Sequence, residues 1–327
     1  RFGEHQLSLG GTVGTWPAIL AGKDIVFDLE GTMDAYEITS DGRIDDLARP
    51  ARPQLSFAAA GPDIDISGSL TPGADGPLVL DVRGYAGSAQ VDANGSFSDL
   101  QDLDDIHIEA TAKGDDLGQA LALLGIRQDL EAPFEIDVDA ERQGPLLIIE
   151  KSRLELGSAT FDLTAHMPDF PALSGGVFKL DINGPDVGQV RDLLQLPGSA
   201  TGPFSVHSEL SPETDEQNLL VLNIDTSLIK LQARADLTAA EDHVGSDVEF
   251  QLDSNNLGEV ASVFGISGLP ERPIEMEGRA KIVDAGIEAT EDIMANVEKV
   301  SIAVNGLFAK EKGLRGSDLN FTISGPN

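Results

Sequence analysis

Apolar and polar residues alternate through most of this chain. Phe134, Ile136 and Val138 are separated by Glu135 and Asp137; Phe178, Leu180 and Ile182 by Lys179 and Asp181; Val248, Phe250 and Leu252 by Glu249 and Gln251. Phe204 and Val206 flank Ser205, Ile274 and Met276 flank Glu275, and Phe161 and Leu163 flank Asp162. A two-residue period puts one set of side chains on each face of a strand. The chain therefore predicts a mainly β protein with an apolar face and an acidic one. Further strands are expected at Leu146–Glu150, Thr160–Ala165, Leu219–Ile224 and Val300–Val304. Nearer the N-terminus they are expected at Gln6–Thr12, Asp24–Glu30, Gln54–Ala59, Ile64–Leu70 and Leu78–Val82, with Asp41–Pro53 an irregular excursion marked by Pro50 and Pro53.

A second, longer period organises the chain. Asp116-Leu117-Gly118, Asp186-Val187-Gly188 and Asn256-Leu257-Gly258 recur every 70 residues, as do Pro133-Phe134, Pro203-Phe204 and Pro273-Ile274, and Leu124, Leu194 and Phe264. Three anchors on one spacing define tandem units. In each, an Asp or Asn is placed to cap a short helix. Apolar residues fall on one helical face, as Val187, Val190 and Leu194 or as Leu257, Val260 and Phe264, and Gly125 and Gly265 suit the first and third helix ends. The division reads as an irregular β-rich segment at 1–105 with its helix missing or degraded, repeats at 106–176, 177–247 and 248–317, and the first strand of a further repeat at 318–327. Each repeat is expected to hold one helix and about five strands. Leu319–Ile323 followed by Ser324-Gly325-Pro326-Asn327 matches Phe178–Ile182 followed by Asn183-Gly184-Pro185-Asp186, which suggests a piece of something longer.

A helix of about nine residues spans only about 13 Å and cannot cover five strands. The apolar side must be hidden by a sandwich or left as the floor of a curled, open sheet that grows by adding repeats. The repeat favours the second: an elongated, curled antiparallel sheet forming an open groove or half-pipe. Such a surface exceeds the contiguous apolar patch of an ordinary monomer and suits a long acyl chain. The groove-facing residues are then Phe134, Ile136, Val138, Phe161, Leu163, Phe178, Leu180, Ile182, Phe204, Val206, Val248, Phe250, Leu252, Ile274 and Met276. An Asp at Phe204 is expected to fold and lose lipid. The competing reading is a structural or adhesive array of β-domains with closed cores and an acidic binding face. The helices either line the groove or cap a sheet edge against aggregation, with the edge role favoured.

The tandem phrase of strand, Gly-Pro-Asp, short Leu/Val helix, proline and alternating strands resembles the AsmA-like and TamB-type bacterial envelope proteins, relatives of bridge-like lipid-transfer proteins. The resemblance covers 106–327 well and 1–105 loosely. It implies a β-groove in the periplasm, an inner-membrane anchor outside this sequence, and phospholipid movement toward the outer membrane in support of outer-membrane biogenesis. The chain departs from the family pattern in lacking that anchor and a complete C-terminal region.

Charge narrows the partners. With 22 Lys and Arg against 56 Asp and Glu, the net charge of −34 repels a phosphate backbone, and the basic scraps Arg49/Arg52 and Lys310/Lys312 do not offset it. Nucleic acid is excluded as a partner. The 327 residues suit about two domains, and aromatics are only 5%, so the apolar face is aliphatic. Absence of cysteine removes disulfides, thiol nucleophiles and thiolate metal sites, and is compatible with an oxidising envelope compartment. No apolar run approaches the length of a membrane span, so the sequence reads as a soluble protein. No G-x-S-x-G, G-x-G-x-x-G, Walker loop or H-E-x-x-H occurs. His5, His107, His166, His207 and His243 follow neither a ligand spacing nor the long period. Asp63–Gly68 opens like a calcium loop, but its twelfth position is Ala74. The expectation is no enzyme, no cofactor and no metal, with a phospholipid or other acyl lipid as partner.

Overall fold

The computed structural model describes residues 7–47, 53–73, 76–98, 105–123, 131–193, 201–214, 217–238, 243–263, 268–310 and 315–326. Of the positions named above, His5, Gln6, Arg49, Pro50, Arg52, Ala74, Leu124, Gly125, Leu194, Phe264, Gly265, Lys312 and Asn327 lie outside the described residues. The chain divides into two compact units, Arg1–Gly157 and Ser158–Asn327.

Unit 1 contains β1 (Leu7–Val13), α1 (Trp16–Ala21), β2 (Lys23–Met33), β3 (Tyr36–Asp46), β4 (Gln54–Ala60), β5 (Ile64–Pro72), β6 (Leu78–Ala86), β7 (Ala89–Phe97), β8 (Asp105–Gly114), α2 (Leu117–Leu123), β9 (Phe134–Gln143) and β10 (Leu146–Leu156). Unit 2 contains β11 (Ala159–Met167), β12 (Val177–Gly184), α3 (Val187–Leu193), β13 (Phe204–Pro212), β14 (Gln217–Thr226), β15 (Ile229–Thr238), β16 (Asp247–Ser254), α4 (Leu257–Val263), β17 (Ile274–Val283), β18 (Gly286–Val297), β19 (Val300–Ala309) and β20 (Asp318–Ser324). Within each unit every strand pairs antiparallel with its neighbour in the chain. No register joins β1 to β10 or β11 to β20 among the described residues, so the fold is mainly β, antiparallel and not closed into a barrel. Among the described residues no helix is long and apolar enough to cross a membrane.

The 70-residue period reappears as hydrogen bonds. The amides of Leu117, Val187 and Leu257 donate to the carbonyls of Ala132, Gly202 and Arg272 at 3.0, 2.8 and 2.7 Å. Each bond ties the first residue of a helix to the loop that returns to the next strand. Side-chain caps sit one residue earlier: Asp116 Oδ1 accepts from Gln119 N at 2.9 Å, Asp186 Oδ1 from Gly188 N at 2.9 Å, and Asn256 Oδ1 from Glu259 N at 3.2 Å. Without these acceptors the first-turn amides would lack partners.

Three expectations are corrected. Between successive helix-bearing strands lie three further strands, so a repeat holds four strands and not five. Strands such as Leu146–Leu156 run to eleven residues, passing through a register shift between Ile149 and Lys151, so the same sequence fills fewer strands. The first 105 residues do contain a helix, α1, capped by Thr15, entered through a proline and ended by Gly22 in the left-handed region at φ 63°. Asp41–Asp46 is regular β3, in register with β2, and not part of an irregular excursion.

Candidate functional site

Register carries the alternation of single strands across whole sheets. In unit 2, Phe161, Ile182, Val206, Ile224, Leu231, Leu252, Met276, Ala295, Ile302 and Ile323 are successive cross-strand partners from β11 to β20. Every member is apolar. A second row beside it runs Leu163, Leu180, Ser208, Leu222, Ala233, Phe250 and Gly278, and a third runs Ala165, Phe178, Leu210, Leu220, Ala235, Val248 and Ala280. Unit 1 has an equivalent first row of Leu9, Gly31, Ile38, Ala59, Ile66, Gly84, Val91, Ala112, Ile136 and Leu154. Val138 lies in the row beside it, opposite Ala110 and Ser152.

Burial along these rows separates two kinds of position. Phe134, Phe204 and Ile274 are only 5%, 7% and 4% exposed. Phe204 clusters with Ala159 of β11 and Val190 of α3, and Ile274 with Val260 of α4 and Ala295 of β18. Phe204 and Ile274 are seats for α3 and α4 at one end of the strands, and Phe134 holds the equivalent position in the first repeat. A Cβ at Gly184 would stand 2.5 Å from the Phe204 ring, and one at Gly114 would stand 2.8 Å from the Phe134 ring. A glycine opposite each phenylalanine is what lets its ring lie flat on the sheet. Burying a side chain of this size contributes about 1.5–3 kcal/mol. The helices thus pack on the apolar side at the strand ends.

The other twelve sequence-assigned residues are half-buried. Ile136, Phe161, Ile182, Val206, Leu252 and Met276 lie in the first rows, Val138, Leu163, Leu180 and Phe250 in the second, and Phe178 and Val248 in the third. A closed sandwich would bury the middle of its strands most deeply. In unit 2 burial is mixed along the strands: Ser208 and Leu210 of β13 are buried, while Ile182, Val206, Ile224, Leu231 and Leu252, each two residues in from the helix end of its strand, keep partial access. Ile224, Leu222 and Leu220 were not assigned from sequence. Leu220 and Leu222 belong to the run Leu219-Leu220-Val221-Leu222, which does not alternate, and Ile224 follows two residues on; pairing with β13 and β15 sorts them onto one face.

The opposite face is charged and laced with exposed ion pairs. Arg279 of β17 reaches Glu249 of β16 at 3.4 Å and Glu291 of β18 at 3.6 Å beside a hollow of about 660 Å³. On β12 and β13, His207 Nδ1 lies 2.7 Å from Asp181 Oδ1, and Lys179 Nζ lies 2.9 Å from Asp181 Oδ2. The hydrogen bond from His207, then the one from Lys179, holds the Asp181 carboxyl below its usual range. Asp186 is lowered too, by the amides of Gly202 and Gly188. These contacts order the strand faces; none is aimed at a closed pocket of the kind that tunes a catalytic acid or base. No family of proteins, no curated protein and no solved structure matches the chain.

Proposed function

We propose that this protein binds the acyl chains of lipids along its apolar sheet face and moves phospholipid through the bacterial periplasm between the inner and outer membranes, without catalysing a reaction. The observation that carries the reading is the first apolar row of unit 2, ten strands wide and half-buried at its centre. Water in contact with that much aliphatic surface is unfavourable by roughly 25 cal/mol per Å², and an acyl chain laid along it removes that cost. Exchange among equivalent positions along a uniform row has no deep trap, which suits transfer better than storage. The acidic opposite face keeps such a molecule dispersed. The placement in the envelope and the direction of transfer rest on the resemblance to AsmA-like and TamB-type proteins, to which the repeat of four strands and one helix is related as a reading of pattern.

The test is lipid content of the purified chain by native mass spectrometry and lipid extraction, with Leu222→Asp as the lesion. Leu222 is central and half-buried, so the charge is hydrated in part; the fold should survive with a loss of about 1–2 kcal/mol while retained lipid falls several-fold. Asn223→Asp, on the opposite face, is the control and should change neither. A folded Leu222→Asp protein with undiminished lipid defeats the proposal, as does a wild-type chain that never retains lipid.

A further inference from the structure

The three repeats share one cross-strand position on their charged faces. In the second, Lys179 stands opposite Glu209; in the third, Glu249 stands opposite Arg279. Each pair joins a cation to a carboxylate. In the first repeat the same position holds Glu109 opposite Asp139, two carboxylates on adjacent strands. Like charges directly opposite destabilise a strand pair, yet among the described residues no lysine or arginine makes an ion pair with either one; Lys151 stands opposite Asp139 on β10 but its ammonium goes to Asp137. Nearby cations are committed elsewhere: Lys151 to Asp137, Lys113 to Glu135 and Arg83 to Asp81 and Asp92. What stands beside the acidic pair is His107, whose equivalents are Val177 and Asp247.

His107 Nε2 lies 3.4 Å from Glu109 Oε1 and 3.6 Å from Asp139 Oδ1, and one donor atom from each of the three lies within 4.8 Å of the others. Ligands bound tetrahedrally to zinc at about 2.0–2.1 Å are separated from each other by about 3.3–3.4 Å. Two of the donor separations are therefore already close to those a zinc ion imposes. The imidazole distinguishes the set from the plain carboxylate ladders elsewhere on this surface, because nitrogen donors favour borderline transition ions over calcium or magnesium. The side chains are 41%, 62% and 38% exposed, leaving a coordination position for water.

From these observations we infer that His107, Glu109 and Asp139 form a binding site for a divalent transition-metal ion, in which the ion takes the place that Lys179 and Arg279 fill in the other repeats. It cross-links β8 and β9 on the charged face of unit 1. The site is independent of the lipid reading, because its three side chains lie on the other face of the sheet.

The experiment is calorimetric titration of the chelator-treated full chain with zinc, in physiological salt with excess magnesium to saturate nonspecific carboxylates. One saturable site per chain is expected. His107→Gln should weaken it by roughly tenfold or more, the scale on which even outer-shell partners affect metal affinity. Glu109→Lys copies the second repeat's own arrangement, keeps the strand pair folded and should abolish the site. His207→Gln should leave the titration unchanged, because Lys179 already occupies that cluster. In the unaltered chain, zinc should shift the His107 ring resonances in NMR spectra and not those of His207, a readout that needs no variant to fold. Absence of a saturable site, a folded Glu109→Lys chain that binds zinc as before, or unmoved His107 resonances would each overturn the assignment.

Discussion

The first apolar rows of the two units are built from different residues. In unit 2 large side chains follow one another from Phe161 to Met276. In unit 1 large and small alternate: Leu9, Gly31, Ile38, Ala59, Ile66, Gly84, Val91, Ala112. The second row of unit 1 behaves alike, with Phe57 beside Gly68 and Val82 beside Ala93. Both rows exclude charge, so both satisfy the same two-residue pattern. They differ in what stands on the sheet. Unit 2 has a continuous aliphatic layer, whose side chains support one another across strands. Unit 1 has side chains lying over glycines, with the backbone of neighbouring strands close beneath. At Gly84, φ is 149° and a Cβ would fall 2.0 Å from the carbonyl oxygen of Asp65. Hydrophobic pattern thus specifies the face, and residue size specifies whether that face carries a continuous layer of side chains or exposed stretches of backbone.

The largest effect that would break this comparison is a side chain at Gly84. Gly84→Val should destabilise unit 1 by about 3 kcal/mol or more, since both the backbone conformation and the space forbid it. Ala233→Val, a comparable gain in volume on the half-buried second row of unit 2, should cost less than about 1.5 kcal/mol. Denaturant unfolding of the two variants measures the difference. Similar losses would mean that the glycines of unit 1 have no special role.

Next in size is the contrast within unit 2 between a helix seat and the open row. The sequence alone led to the expectation that Phe204→Asp folds. Its burial beneath α3 reverses this: the variant loses a buried ring and buries a carboxylate, and should be destabilised by about 4 kcal/mol. Leu222→Asp should be far milder. Equal melting curves for the two would erase the distinction between seat and row.

The smallest expected effect concerns acid. Asp186 and Asp181 have folded-state pKa values below their unfolded ones, so their contribution is present above about pH 4, the usual carboxylate range. It disappears as the pH falls through the lower folded values. Unit 2 should therefore lose stability progressively in that acid window. Asp186→Asn keeps an oxygen acceptor for the α3 cap but cannot titrate, and should flatten the dependence slightly. An acid-unfolding profile identical to that of the unaltered chain would show that the Asp186 cap is not a source of it.

Much of the fold was legible because its determinants are local. Alternation marked the strands from Phe134, Phe178, Val248 and Ile274, and the Asp-Leu-Gly, Asp-Val-Gly and Asn-Leu-Gly triplets marked α2, α3 and α4. The helix α1 is also written in local terms, as Thr15, Pro17 and Gly22 around a short apolar stretch, but it stands outside the 70-residue period, so the repeat does not point to it. The candidate site was legible as a face and not as a surface. Alternation cannot say that Phe204 lies under a helix while Val206, two residues on, stays half-exposed, nor which of Leu220, Val221 and Leu222 shares the apolar side.

By itself, then, the sequence determined the β character, the repeat, the positions of α2, α3 and α4 and the sign of each face, because periodicity and capping act over a few residues. The tertiary structure decided which positions are covered, which glycines of unit 1 have no room for a side chain, and that Asp139 meets His107 and Glu109 across a strand boundary. Those outcomes depend on antiparallel register and on where a helix lands. Both are set by how a strand docks on the next one along the chain and how a helix folds back on the strand that follows it, over spans longer than the few residues that alternation and capping read.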